Sequence, residues 1–591
     1  MIEPRFHWLY PDRAPLNVEF LDAVRVHGGS SRLARVMAAR GIGPDEVDRF
    51  FGPALASLHD PARLPDADRA VARIARAREA AEGVLVVGDF DADGLTGLAI
   101  MVRALRTLGI DAAPHVPTRL DDGHGLSLRA VELARATGRR LVITVDTGSS
   151  SGAEIAAAGS AGIDVIVTDH HRVPPELPPA VAVVNPHRPD ASYPDSRLAG
   201  SGVALKIAAH QLERLGGIPA EVTTSDLADL AMIGTVADVA PVLGENRGIA
   251  RLGLERIRRD PRPGIAALLT ASRVAAGDAT LETVGFALAP RLNAAGRVGD
   301  ADQAAALLLT DDPEAAAVLA AALDAANLVR RDVSRAAVEE ARVLVDGEGG
   351  WNGEAVLVRG PWPVGIIGLV AGRLAEDYGL PAVVATRVGE HLRASCRAPA
   401  GYDLAAALEG CADLLVRHGG HRGAAGFEVE ASRWDELAER LRGLLVSAGP
   451  RDARRPLVLD LALPARSVDY ALLRDLAALG PTGPGNPDPV VGVHGLTVTR
   501  IRAAAGGHAQ LTLRREIDVL DGIAFGRSDL VSTVREGDRV DVAAHLVSRR
   551  FGGYESLQLG VIDVAAARTA AAPTAAPELV DAAVVLAAGR A

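Results

Sequence analysis

The stretch Val84-Leu85-Val86-Val87-Gly88-Asp89-Phe90-Asp91-Ala92-Asp93-Gly94 passes from four apolar residues directly into three aspartates at alternate positions. A short apolar run of this kind reads as a strand covered on both faces. The Leu95–Leu108 stretch behind it reads as a helix. The same alternation continues outward. Apolar runs at Ala112–Val116, Leu141–Val145, Val165–Thr168 and Val181–Val184 are separated by helical stretches at Ser127–Ala136 and Ser151–Ala161. Strands alternating with helices build βαβ units, so the pattern predicts a doubly wound α/β domain around a parallel sheet. In such sheets ligands gather at the carboxyl ends of the strands.

Acidic and imidazole side chains stand at those ends. Asp146-Thr147-Gly148 follows Leu141–Val145, and Asp169-His170-His171 follows Val165–Thr168. On one sheet edge these carboxylates would repel and raise one another's pKa unless cations lay between them. Oxygen ligands with one or two histidines suit Mn²⁺, or another divalent first-row ion, better than a pure Mg²⁺ site. A cluster of this size can hold two ions, the usual device for phosphoester hydrolysis. A fourth acidic position, Asp238, follows the apolar helical run Asp226–Gly234. An aspartate in so apolar a context needs a partner. By itself Asp238 reads as a cap; beside the other loops it reads as a ligand.

Asp312-Pro313 supplies an N-cap and a first helical residue, and no Gly or Pro follows until after Val345. A connector helix over 312–346 is expected. Strand-like runs at Ala355–Val358 and Pro381–Ala385, with a helix near Ile366–Tyr378 between them, indicate a second α/β domain over about 347–450. Gly449 to Pro456 reads as a linker. From 455 to 566 the pattern is strand-rich (Val490–Ile501, Ala509–Leu513, Val519–Ala524, Arg539–Val547 and Tyr554–Val564), as in a small OB-like barrel. Residues 1–50 stand as a separate N-terminal segment before a catalytic domain at 51–311. The Ala-, Pro- and Thr-rich tail over 567–591 reads as mobile.

The chain has 591 residues, 48% of them hydrophobic and 23% charged, which excludes a disordered protein. Its net charge of −12 argues against a purely electrostatic nucleic-acid coat but leaves room for a local basic groove. Two cysteines make neither a disulfide framework nor a Cys-type zinc site, and fit a reducing compartment. Met1 to Leu16 has no apolar segment of the signal-peptide kind. Charges break the alanine-rich stretches before the ~20 apolar residues of a spanning helix. A cytoplasmic protein without a membrane partner is expected.

Gly88-Asp-Phe-Asp-Ala-Asp-Gly94, Val145-Asp-Thr-Gly148, Thr168-Asp-His-His171 and Gly234-Thr-Val-Ala-Asp-Val-Ala-Pro241 resemble the four motifs of the DHH phosphoesterase superfamily. Further motifs are similar to those of the RecJ family of single-strand-specific exonucleases within it. These are Val116-Pro-Thr-Arg119 with Gly123-His-Gly-Leu126, Asn185-Pro-His-Arg-Pro-Asp190, Ala289-Pro-Arg-Leu-Asn-Ala-Ala-Gly-Arg297, Gly419-Gly-His-Arg-Gly-Ala-Ala-Gly426 and Gly480-Pro-Thr-Gly-Pro-Gly-Asn-Pro487. The resemblance runs from about residue 30 to 565. It implies two lobes joined by a long helix, with an OB-like domain closing the groove between them. It implies Mn²⁺- or Mg²⁺-dependent degradation of single-stranded DNA from the 5′ end to 5′-mononucleotides, in repair and recombination, by a monomer working with a helicase and a single-strand-binding protein. Carried over by position, Asp91, Asp93, Asp146, His170 and Asp238 would be metal ligands, with Asp146 as the bridge and Asp89 at the ligand site or just behind it. His171 would face the scissile phosphate, and Asp169 would orient its neighbours. Thr147 stands where the family often has Asn, and Thr482 where an aromatic is usual.

Ser395 and Arg397 pair a hydroxyl with a guanidinium, a suitable phosphate couple, and the resemblance implies that they hold the DNA 5′ end. Arg297 is a further phosphate candidate; a solvated surface arginine is the plain alternative for each. Gly420, His421 and Arg422 lie in a glycine-rich stretch that reads as a phosphate-binding loop or else a tight turn. Phe525, Phe551 and Tyr554 could stack bases, though such residues are more often barrel core. Cys396 reads as a packing residue. Two other readings are a DHH phosphodiesterase acting on short oligonucleotides or cyclic dinucleotides, and a non-catalytic replication scaffold. Those phosphodiesterases are usually much shorter and lack the barrel, and scaffolds lose the ligands that this chain retains.

Overall fold

The computed structural model describes residues 2–11, 16–118, 125–298, 301–347, 355–447, 455–516, 518–551 and 554–567. Arg119, Gly123 and His124, most of the 449–456 linker and the tail beyond Ala567 lie outside them.

Five parallel strands form the first sheet, in the order Ala112–His115, Val84–Gly88, Leu141–Val145, Asp164–Thr168 and Ala182–Val184. Every residue of Val84–Gly88 and of Leu141–Val145 is buried. Side chains alternate across the sheet, so Val84 and Val86 enter one core while Leu85 and Val87 enter another. The larger core packs under the helices Ala92–Thr107, Gly200–Gly216 and Ala220–Ala237. The helices Leu128–Ala136 and Gly152–Ser160 cover the opposite face.

Helix Pro313–Asp346 has 34 residues, and the Asp312 side chain accepts from the Glu314 N–H at its start. At 1.5 Å per residue it is about 50 Å long. Its first half buries Ala316, Ala320 and Leu323 in the first core. Its second half buries Ala337, Val338, Ala341 and Val345 in another, with strand Val356–Arg359 and helix Ile367–Tyr378. The second sheet runs Leu415–Gly420, Ala424–Glu430, His391–Arg397, Ala382–Val388 and Val356–Arg359. Gly419-Gly420 and Ala424 to Gly426 are therefore paired strand residues and not a loop: Gly419 faces Gly426 across the ladder. Only the hairpin tip around His421-Arg422-Gly423 remains as turn, which corrects the loop reading.

Of the described residues, those from Ala54 to 447 form one compact unit, and those before Ala54 join those from 455 to Ala567 in another. In that second unit five strands close a barrel: Val491–Ala504, His508–Arg515, Asp518–Ala524, Tyr554–Ala566 and Arg539–Phe551, the last pairing back with the first. Strand Leu461–Pro464 adds in parallel to the first. The N-terminal residues are not a separate segment. Phe20, Val24, Leu33, Met37 and Phe50 share one core with the barrel strands, and the Trp8 indole donates to the buried Asp563 carboxylate at 2.9 Å. The Thr482 stretch is held by Asn486, whose amide donates to the carbonyls of Leu479 (2.9 Å) and Pro481 (3.0 Å). Phe525 is not barrel core: it is 67% exposed and meets His508 edge-on. The Phe551 and Tyr554 side chains lie outside the described part. Among the described residues no helix is long and apolar enough to cross a membrane.

Candidate metal centre

Register brings the three acidic loops side by side. Gly88 pairs with Val145, and Val145 with Thr168. The next residue of each strand continues the ladder: Asp89 N–H to Val145 O (3.2 Å), Asp146 N–H to Thr168 O (2.9 Å), Asp169 N–H to Val184 O (3.0 Å). Asp146 then turns into the left-handed region at φ 60°, a conformation that costs a non-glycine residue about 1–3 kcal/mol and clusters at functional sites.

Asp91 caps the helix Ala92–Thr107, accepting from the N–H groups of Asp93 (3.0 Å) and Gly94 (3.1 Å). Asp93 lies in the first turn of that helix and accepts from Gly200 N–H (2.7 Å) and Ser201 N–H (3.0 Å), at the start of the neighbouring helix Gly200–Gly216. Asp238 ends helix Ala220–Ala237. His170 Nε2 stands 3.1 Å from Asp146 Oδ1, 3.8 Å from Asp238 Oδ2 and 3.9 Å from Asp93 Oδ2.

Three overlapping sets of side chains could each surround a cation: Asp89, Asp91 and Asp146; Asp146, His170 and His171; Asp93, His170 and Asp238. Asp146 and His170 are each shared by two sets. Asp146 Oδ1 and His170 Nε2 are buried and have no hydrogen-bond partner. Two buried atoms of this kind, aimed at one point, fit a divalent ion.

Without ions the cluster holds protons. Burial, with the charges of Asp89 and Asp93, pushes Asp91 up to about 6. Burial and Asp93 push Asp238 up to about 7, against the opposing pull of His170. Burial, Asp93 and Asp91 raise Asp146 well above the usual carboxylate range. A carboxyl raised in this way contributes to metal-free stability fully below pH ~4, and that contribution is lost as pH rises through about 6 to 7. Cations must displace these protons. Mn²⁺ binding should therefore release protons at pH 6 and few by pH 8.5, with affinity falling roughly tenfold per pH unit per displaced proton below that window. Calorimetric titration in buffers of differing ionisation enthalpy measures this. Equal affinity at pH 5.5 and 8 would remove the protons from the ligand atoms.

Asp169 is the exception. Burial would raise it, but donation from His171 Nδ1, the charge on that ring and the Ser149 N–H hold it far below the usual carboxylate range. Its carboxylate also accepts from the N–H groups of His170 (2.8 Å) and His171 (3.1 Å). In return its hydrogen bond pushes His171 up to about 9, outweighing burial. With Nδ1 held by Asp169 at 2.8 Å and its side chain 57% exposed, the His171 ring is oriented and kept basic by that carboxylate.

Several positioning residues escaped the reading of acidic loops. A Cβ on Gly200 would stand 2.5 Å from Asp146 Cβ, so only glycine lets that helix approach; the small-residue run Ala199-Gly200-Ser201-Gly202 was the available signal. Buried Asn185 donates to Ser149 Oγ (3.0 Å) and His171 O (2.9 Å), tying its own motif to the histidine loop. Asn293 Oδ1 accepts from Ala92 N–H at 2.7 Å.

In the second sheet, strand His391–Arg397 buries Leu392, Ala394 and Cys396 and turns Ser395 and Arg397 to the other face. Arg397 Nη1 donates to Ser395 Oγ at 3.1 Å. The first turn of helix Ile367–Tyr378 lies against the pair: a Cβ on Gly368 would stand 3.1 Å from Ser395 Oγ and 3.2 Å from Arg397 Nη2. One turn earlier, Gly365 O accepts from Arg297 Nη1 at 2.8 Å. Arg297, Ser395 and Arg397 thus meet around one helix N-terminus. Gly420, His421 and Arg422 lie on the adjoining hairpin, where Ala424 pairs with Arg397 and Arg422 faces Asp403 at 3.3 Å. Burial drives the Cys396 thiol up to about 12, consistent with a packing role.

Residues 83–235 match the DHH family, N-terminal domain; 353–447 match the DHHA1 domain; and 459–563 match the RecJ OB domain. The chain is 34% identical to the single-stranded-DNA-specific exonuclease RecJ of Bacillus subtilis, over 90% of its own length and 68% of that protein's. It is 34% identical to the Salmonella typhimurium RecJ, over 90% of the chain and 95% of the relative. The chain belongs to the RecJ family. The crystal structure of RecJ from Thermus thermophilus with Mn²⁺ superposes with a TM-score of 0.81 at 30% identity, covering 96% of this chain and 80% of that one. The same relative with Mg²⁺ gives a TM-score of 0.76 at 28% identity, covering 96% and 79%. The fold is that of RecJ, and the chain is a metal-dependent hydrolase of the DHH type.

Proposed function

We propose that this RecJ-family chain degrades single-stranded DNA from its 5′ end, releasing 5′-mononucleotides, with Asp91, Asp93, Asp146, His170 and Asp238 holding two divalent ions and Asp89 at or beside the ligand set. The observation that carries the reading is the sharing of Asp146 and His170 between overlapping cation-sized sets. Bound there, Mn²⁺ or Mg²⁺ supplies an activated water and charge stabilisation on the attacked phosphate. The protonated His171 ring offers the phosphate a charge-assisted donor, and Asp169 keeps that ring charged and aimed. Arg297, Ser395, Arg397 and the start of helix Ile367–Tyr378 form a pocket for a terminal phosphate, since helix N-termini and guanidinium forks both favour anions. A phosphate anchored there would present the next phosphodiester to the ions, so each cut would release one nucleotide. His421 and Arg422, on the adjoining hairpin, would offer the strand further hydrogen-bond donors. Exonuclease digestion of 5′- and 3′-labelled single strands, with Mn²⁺, Mg²⁺ or chelator and a duplex control, tests the assignment. Loss of label from the 3′ end first, or undiminished cutting in chelator, would overturn it.

The barrel serves as the single-strand-binding module. Because residues 1–53 complete its core, removing only the barrel would expose Phe20, Leu33 and Met37. The informative chain is 54–450. It should keep metal binding and cut saturating short strands, but lose affinity for long strands by about tenfold or more per stacked base removed. Unchanged binding of a long strand would end the assignment. A single-strand-specific enzyme needs duplex opened and strands protected, so the reading includes a helicase and a single-strand-binding protein as partners of a monomeric cytoplasmic enzyme in repair and recombination.

A further inference from the structure

Phe286 is the most exposed aromatic among the described residues, at 81%. Every other described aromatic in residues 54–450 is buried or half-buried. It lies in the π-helical turn Val284–Leu288, whose end residues Val284 and Leu288 are fully buried. Such turns are rare and recur at functional sites.

The turn is fixed to the reaction centre from two sides. On one side Gly285 packs on Val236, where a Cβ would stand 3.4 Å from Val236 Cγ1. Val236 lies in the last turn of the helix that delivers Asp238, and Val239, just beyond that ligand candidate, is itself 62% exposed. On the other side the turn runs directly into helix Ala289–Val298, whose Asn293 holds the Ala92 N–H of the acidic loop. Arg291 braces the turn, donating to Ala287 O at 2.7 Å and to Asp324 of the long helix at 2.9 Å. The same helix carries Arg297 at its far end. Phe286 and Arg297 are eleven residues apart, which places them about 16 Å apart along the rod. The acidic loop is joined to that rod between them.

We infer that Phe286 is a nucleobase-stacking residue that positions the single strand downstream of the cut, at a distance from the reacting phosphate set by this helix. A ring held by a braced turn gives a base a π-face without the cost of ordering a loose side chain, and stacking of this kind is indifferent to sequence. The inference rests on the site proposed above. A protein-docking role fits less well, because both supports of the turn lead to candidate ligand loops.

The test compares F286A, F286L and F286W with the parent on 5′-phosphorylated single strands, and on the same strands made abasic beyond the first nucleotides. The expected result is a KM about tenfold higher for F286A and F286L, restored by F286W. On the abasic strand the parent and F286A should have equal KM. The same fold-loss on both strands, absence of rescue by tryptophan, or unchanged kinetics on bare strands would each overturn the inference. Mn²⁺ titration of F286A separates the two readings. Parent-like metal binding with the expected KM pattern supports stacking, whereas a parent enzyme that fails to cut single strands overturns the functional assignment itself.

Discussion

Asp146→Asn should lower turnover on single-stranded DNA by at least about 10³-fold, the scale expected when an ion-binding group central to charge stabilisation is lost. Asp146 stands in two of the three cation-sized sets, so its loss damages both. Asparagine keeps the volume that fits beside Gly200 and tolerates the left-handed backbone at φ 60°. The fold should therefore survive. The metal-free variant should be more stable than the parent at pH 8, because a buried carboxyl that resists ionisation has been replaced by a neutral amide. Strand binding in chelator should persist or improve as a negative charge leaves. Turnover, Mn²⁺ titration and thermal melting on one preparation check all three. Near-parent turnover with an intact melting transition would exclude Asp146 as the shared ligand.

Arg397→Ala should erase the preference for a 5′-phosphorylated strand over a 5′-hydroxyl strand. A terminal phosphate carries more charge than an internal one, and a charge-assisted hydrogen bond to it contributes about 1.5–3 kcal/mol, roughly one to two decades in binding. Arg397 lies beside Ser395 and the glycine-rich start of helix Ile367–Tyr378, with Arg297 one turn away. The measurement is kcat/KM on both strands. If both fall by the same factor, Arg397 is a general backbone contact or a brace for its own strand, whose Cys396 carbonyl it also caps at 2.8 Å. Arg397→Lys separates these cases further. It keeps the charge but not the fork, so part of the phosphate preference should return.

The divergence between reading and structure follows the range of the forces involved. Val84–Val87 and Leu141–Val145 could be read as strands because a strand buried on both faces must be apolar at every position, and that is a property of consecutive residues. The Asp312-Pro313 start is equally local. The acidic loops were legible because parallel strands of equal length end at one edge, so alternation alone brings Asp89, Asp146 and Asp169 together. Phe525 was misjudged because a barrel strand fixes which positions alternate, but not where its end leaves the core. Gly419 to Gly426 looked like a loop because glycine permits one; pairing of Gly419 with Gly426 depends on strands whose register no local pattern specifies.

The sequence by itself determined the α/β succession, the long helix, the strand-rich C-terminal part and the residue types at the carboxyl edge of the first sheet. Each is encoded by hydrophobic period, capping chemistry or motif spacing over a few residues. Only the tertiary structure decided that residues before Pro53 complete the barrel's core and that Gly200 must lack a side chain beside Asp146. It also decided that Asn293 steadies Ala92 from 201 positions away, and that Phe286 stands exposed on a braced turn beside the Asp238 helix. These are relations between segments far apart in the chain. Their energies arise from packing and hydrogen bonds that exist only after the intervening chain has folded, so no local period records them.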